Sequence, residues 1–162
     1  IEGTPCWGCY AFKGRYRFPN VKDALTRRLE SLTHPDWIQA MAVLIKGKKF
    51  FRWHDSGDLQ SVQHLINIFE VCKQTPTTQH WLPTREAQFL KFLDPEVVPK
   101  NLKIVFSDHM NDQARGVTFW PYTSGVSTKG GVTCPAPKQG NKCQSCRACW
   151  DRDVKRVIYG KH

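Results

Sequence analysis

Phe50-Phe51-Arg52-Trp53-His54-Asp55-Ser56-Gly57-Asp58 passes from an aromatic run to a polar turn. Aromatic residues at this density favour a buried strand. His54 to Asp58 is too polar to be core, so the stretch reads as a strand that delivers the chain into a loop. The arrangement recurs twice. His80 to Thr84 reads as a second strand leading into Arg85 and Glu86, and Leu102 to Ser107 as a third leading into Asp108 and His109. Between them, Val62, Leu65, Ile66, Phe69 and Cys72 repeat at helical spacing, followed later by Ala87, Phe89, Leu90 and Leu93. Strands joined by crossovers of about twenty residues pair in parallel, because antiparallel neighbours need only short turns.

Upstream, Asn20 is placed to cap a helix with the apolar stripe Val21, Ala24, Leu25, Leu29 and Leu32. Thr33 and Asp36 resemble a capping box with Pro35 in the first turn, opening a helix whose inner face is Ile38, Met41, Ala42 and Ile45 and which Gly47 ends. Beyond Met110 regular periodicity stops. The expectation is an α/β fold, a small parallel sheet with flanking helices that is partial-barrel-like, over residues 1–109. An irregular cysteine-rich C-terminal tail over 110–162 completes a single domain, 1–162. With 162 residues, 40% of them hydrophobic, the chain has material for one substantial core.

In a parallel sheet the ligand site lies beyond the carboxyl ends of the strands. That rule makes His54, Asp55, Ser56, Asp58, Arg85 and Asp108 the candidates for binding a small polar ligand. The plainer reading gives Ser56, Asp58 and Thr84 helix-capping duty.

Cys143-x-x-Cys146-x-x-Cys149 is the spacing that lets three thiolates wrap three irons of one cubane, and Cys134, nine residues earlier, is placed to be the fourth ligand. Cys6-x-x-Cys9 is a second-rank pair that joins the tail ligands, joins a cysteine upstream of Ile1, or forms a redox dithiol. Four thiolates suit zinc as well. The expected cofactor is a 4Fe-4S cluster, with zinc as the alternative. Cys72 falls on a core-facing helical stripe and reads as a packed thiol. An odd number of cysteines, seven, argues against a disulfide framework.

Several motifs together resemble the phage-encoded "gene product eighty-eight" family. They are Cys6 to Ala11 (Cys-x-x-Cys-Tyr-Ala), Arg52 to Asp58, Leu82 to Glu86 (Leu-Pro-Thr-Arg-Glu), Cys134-Pro135, the triplet ending in Cys149-Trp150, and the terminal Tyr159, Lys161 and His162. The resemblance implies a bacteriophage or prophage source and the cytoplasm of an infected bacterial host. A second similarity is to radical S-adenosylmethionine enzymes, in which three cysteines after the first strand of a partial barrel hold a cubane. Cys9-Tyr10 followed by Ser56, Gly57 and Asp58 stands in the corresponding order, although this chain shows only Cys6 and Cys9 where those enzymes use three cysteines. That similarity implies S-adenosylmethionine as a ligand and redox or radical chemistry.

The formal net charge is +10. Residues 1–53 carry ten basic and four acidic side chains, 54–128 six and eight, and 129–162 eight and two. Both basic segments bear the cysteines, so their cations would offset the charge of a cluster. A competing function is a metal-stapled nucleic-acid-binding protein whose basic ends engage phosphates through Arg147, Arg152, Lys155 and Arg156. A simple electron carrier would leave the polar rim unexplained. No stretch approaches the roughly 20 apolar residues of a membrane span, so no membrane partner is expected.

Overall fold

The computed structural model describes residues 1–113 and 116–161. Five strands, β1 (Phe50–Arg52), β2 (Gln79–Thr84), β3 (Leu102–Ser107), β4 (Thr123–Ser127) and β5 (Arg156–Gly160), form one sheet in sequential order. Every neighbouring pair is parallel, and the sheet curls into a half-barrel. The α/β class, the parallel pairing and the partial-barrel shape are those expected. Two strands, however, come from the segment in which no periodicity was legible.

Helices α1 (Pro19–Ser31), α2 (Trp37–Ile45), α3 (Val62–Gln74) and the short α4 (Ala87–Leu90) flank the sheet. Three local expectations need correction. Asn20 lies inside α1, and Pro19, with its fixed φ, occupies the first turn behind Phe18. The capping box does not form: Asp36 precedes α2 without a side-chain cap, while the Thr33 hydroxyl donates to the Glu30 carbonyl (3.1 Å). In α3 the cap is Ser61, which accepts from the His64 amide (3.0 Å), and the buried stripe is Leu65, Ile68, Val71 and Cys72, with Val62 and Ile66 exposed. Gly47, at φ +80°, follows α2 as expected.

Strand alternation gives the sheet two chemically different faces. Register pairs His80 with Leu102, Leu82 with Ile104 and Thr84 with Phe106; Leu82, Leu102, Ile104 and Phe106 join Ile45, Ile68 and Val71 in the main core, with His80 and Thr84 buried beside them. On the other face Arg52, Trp81 and Lys103 align across β1, β2 and β3. The Arg52 guanidinium lies 4.9 Å from the Trp81 ring. The cysteine-bearing segment packs against this second face, as described below.

β4 carries Thr-Ser-Gly-Val-Ser, and the buried group that explains it is a neighbouring ion pair. Asp108, just beyond β3, has a fully buried side chain and takes Arg156 of β5 at 2.6 Å, while Arg156 also donates to Thr123 Oγ1 (3.0 Å) and to the Gln113 carbonyl (2.9 Å). A Cβ on Gly125 would stand 2.7 Å from Asp108 Oδ2 and 2.9 Å from Arg156 Nη2, so only glycine lets the pair cross the strand.

Candidate functional site

The loops after β1, β2 and β3 are wired together through Asp58. Its Oδ1 accepts from the Leu59 amide (2.7 Å) and the Thr84 hydroxyl (2.6 Å), and its Oδ2 from the Arg85 amide (2.7 Å). The Arg85 guanidinium then donates to Cys6 Sγ (2.8 Å) and to the His109 carbonyl (2.9 Å). One chain of polar contacts thus carries the N-terminal cysteine to the carboxyl rim of the sheet. Both oxygens of Asp58 are already engaged, so its visible work is to fix Arg85.

The other rim candidates separate. Asp55 accepts a hydrogen bond from Tyr16, Asp108 is turned into the Arg156 pair, and Ser56 is half-buried. His54 has φ +54°, a left-handed backbone that only the sharp exit from β1 requires. Among the described residues neither of its buried ring nitrogens meets a hydrogen-bond partner, and its ring stands 5.5 Å from that of His64. Burial pushes the His54 imidazole down to about 4, opposed by the nearby Pro83 carbonyl and helped by Arg52. His64 is likewise lowered to about 4, chiefly by burial, as is His80.

The segment that carries the C-terminal cysteines packs against the face of Trp81 and Lys103. After Thr133 and Cys134 donate their amides to the Ile158 carbonyl (3.0 Å each), a short 3-10 turn, Ala136–Gln139, ends at Gly140 with φ +63°. The Cys146 amide donates to the Cys143 carbonyl (2.8 Å), closing the first Cys-x-x-Cys turn. Trp150 then seats itself on β1 and β2: its indole donates to the Phe51 carbonyl (3.0 Å), and its ring meets Phe50 and Trp81 edge-on at 5.6 and 5.2 Å. Lys103, 2% exposed, donates to the carbonyls of Ala148 (2.9 Å), Asp151 (2.5 Å) and Val154 (2.8 Å). One buried ammonium therefore satisfies three carbonyls that flank the end of the triplet.

These anchors hold Cys149 Sγ 3.1 Å from the Tyr159 hydroxyl. Burial raises the Cys149 thiol, and the neighbouring Cys134 and Cys143 raise it further, while Tyr159 and Lys103 act in the opposite direction. Burial likewise raises Tyr159, which Arg52 of β1 partly offsets. Cys134, Cys143 and Cys149 share this neighbourhood as free thiols, yet among the described residues no three His, Cys, Asp or Glu side chains close on a common metal position. The donor chemistry suits a thiophilic metal or cluster. Cys6 keeps to the rim with Arg85. Cys72 is fully buried on α3, its thiol pushed up to about 12 by burial alone, as its helical position implied.

Two features of this arrangement were not legible beforehand. Lys103 had one signal, a lone cation inside Leu-Lys-Ile-Val-Phe. The internal use of the tail cations had none: Arg147 stacks on Phe50 (4.7 Å) and donates to the Cys146 carbonyl (2.7 Å), and Arg152 donates to the Lys100 carbonyl (3.2 Å). Lys155 donates to the Arg152 carbonyl (3.1 Å) and lies over Tyr122, and Arg156 belongs to Asp108. His162 of the family motif lies outside the described residues, as does the side chain of Tyr10.

The model of the family described as Gene product 88 matches residues 2–152, and the chain belongs to that family. No curated protein and no solved structure matches it. Among the described residues no helix is long and apolar enough to cross a membrane.

Proposed function

We propose that this chain is an iron–sulfur protein whose C-terminal segment holds a four-iron cluster on Cys134, Cys143, Cys146 and Cys149, over the open face of the half-barrel. The observation that carries the reading is the Cys143-x-x-Cys146-x-x-Cys149 spacing on a segment that Lys103 and Trp150 pin against the sheet, with Cys149 Sγ 3.1 Å from the Tyr159 hydroxyl. A run this poor in apolar residues gains order from such anchors, and ligation would add more. The cluster would supply electron transfer or redox chemistry. Lys103, Arg52 and Arg147 stand near enough to offset its negative charge. Zinc is the competing occupant of the same thiolates.

A narrower version follows from Cys6, which sits on the carboxyl rim with Arg85. There Cys6 and Cys9 would serve a small polar ligand such as S-adenosylmethionine, with His54 and Ser56 on the same rim. The family membership supports a bacteriophage protein acting in the cytoplasm of an infected bacterium.

Anaerobic purification with iron, sulfide and zinc analysis tests the main reading. The expected result is brown protein with broad absorption near ~400 nm from thiolate-to-iron charge transfer and sulfide matching iron. Colourless protein with stoichiometric zinc would overturn it. Titration calorimetry with S-adenosylmethionine tests the narrower version, which an absence of heat from cluster-loaded protein would remove.

A further inference from the structure

Arg147, Arg152, Lys155 and Arg156 are spent on internal contacts, and the exposed cations that gather on one segment lie at the other end of the chain. Residues 12–28 carry Lys13, Arg15, Arg17, Lys22, Arg27 and Arg28 against the single acid Asp23. All six cations are exposed, and none joins an ion pair among the described residues. Phe12 and Phe18, 77% and 54% exposed, are interleaved with them, and Trp7, 54% exposed, precedes them. Burial of large aromatics is strongly favourable, so three exposed rings among guanidinium groups ask for a partner with both flat faces and negative charge. The Tyr16 hydroxyl donates to Asp55 and so docks the segment beside the rim.

We infer that this N-terminal segment binds single-stranded nucleic acid, its arginines on phosphates and its aromatic rings stacked on bases. The inference does not depend on a cluster. A second copy of the chain would oppose like charge to like charge. A membrane surface fits less well, because a helix lying on lipid must turn its apolar stripe outward. The stripe of α1 is split instead: Val21 and Ala24 are half-buried and Leu25 and Leu29 exposed, while Leu29 with the capping Leu32 lines a cleft of ≈ 540 Å³ shared with Ile38 and His64.

Fluorescence anisotropy of the full chain with labelled fifteen-nucleotide oligo-dT and oligo-U provides the test. Affinity should fall as salt rises, with a log–log slope of about −2 to −3.5, the value for three to five phosphate contacts on a single strand. Arg15→Gln with Arg17→Gln should flatten that slope by about 1.4. Phe12→Ala with Phe18→Ala should weaken binding about tenfold or more at unchanged slope. Lys138→Gln with Lys142→Gln, exposed tail lysines without neighbouring aromatics, serves as the control and should cost less than either pair. Because all these side chains are exposed, circular dichroism melts should coincide with the parent. Binding that ignores salt and the N-terminal substitutions, a larger loss from the tail pair, or capture by phosphatidylglycerol vesicles without oligonucleotide binding would overturn the inference.

Discussion

The two ends of this chain look alike in sequence, each basic and each carrying cysteines, but the fold treats them oppositely. At the C-terminal end Arg147, Arg152, Lys155 and Arg156 all reach carbonyls, rings or a carboxylate of the same chain. At the N-terminal end the six cations of residues 12–28 join no ion pair among the described residues, and α1 has no fully buried residue. The difference follows from what each end must do for the sheet. Residues 123–160 supply two of its strands and the segment packed against Trp81 and Lys103, so the cations of 147–156 find partners within the fold, while Lys138 and Lys142 stay exposed. The N-terminal segment meets the rim through Arg85 on Cys6, Tyr16 on Asp55 and the Asn111 amide, which donates to the Gly3 carbonyl (2.8 Å). Equal charge density in sequence therefore marks internal wiring at one end and free surface at the other.

The comparison breaks first at the buried pair. Arg156→Met should destabilise the chain by about 3–5 kcal/mol, because it leaves the Asp108 carboxylate buried without its partner. Chemical denaturation measures this directly. A loss under about 1 kcal/mol would mean that water reaches Asp108 and that the C-terminal end is looser than described.

Lys103→Met comes next. It removes the donor from three carbonyls, and each group left unsatisfied costs roughly 1–3 kcal/mol, less whatever water recovers at this edge. A net loss of about 2–4 kcal/mol is expected, together with faster alkylation of Cys149 in metal-free protein. Cys6, already exposed, should react at its parent rate. Equal acceleration at both cysteines would show global unfolding instead of release of one segment.

How much of this was legible is uneven for physical reasons. β1, β2 and β3 are apolar or aromatic runs that end in polar loops, and their positions in sequence nearly match those in the fold. β4 could not be found that way. Ser124 and Gly125 have little strand character of their own and lie beside the Asp108–Arg156 pair, a contact between residues 48 apart. The rim loops were found but their members were not sorted. A carboxylate that fixes a neighbouring backbone, as Asp58 does, and one free to meet a ligand have the same letter in sequence. Cys72 was placed by helical period because burial on a helix face is itself periodic.

A third test asks whether either end governs acid lability. His54, His64 and His80 are held near 4 in the folded chain against 6.5 ordinarily. Between those values the unfolded chain takes up protons that the folded chain refuses, so stability falls as pH drops through that window and is flat above it. Melts from pH 7.5 to 4.5 should show a drop of several degrees below about pH 6. His80→Gln should lessen that dependence, whereas substitutions at either basic end should leave it unchanged, since lysine and arginine do not titrate there. A melting temperature that is level down to pH 4.5 would place these imidazoles in contact with water.

The smallest effect is the most discriminating for the contrast between the ends. Arg27→Gln with Arg28→Gln on α1 should change unfolding free energy by no more than about 0.5 kcal/mol, the usual range for surface substitutions that touch nothing. Removing two like charges from a basic helix relieves repulsion slightly, and the helix propensity of glutamine is close to that of arginine, so even the sign is expected to be near neutral. The same exchange at Arg147 and Arg152 loses a guanidinium stacked on Phe50 and donors to three backbone carbonyls, and should cost more than the α1 pair in the same buffer. Differential scanning calorimetry of the two double variants side by side makes the measurement. If the α1 pair proves the costlier, the N-terminal cations are engaged within the chain after all, and both the contrast and the nucleic-acid surface built on it fall together.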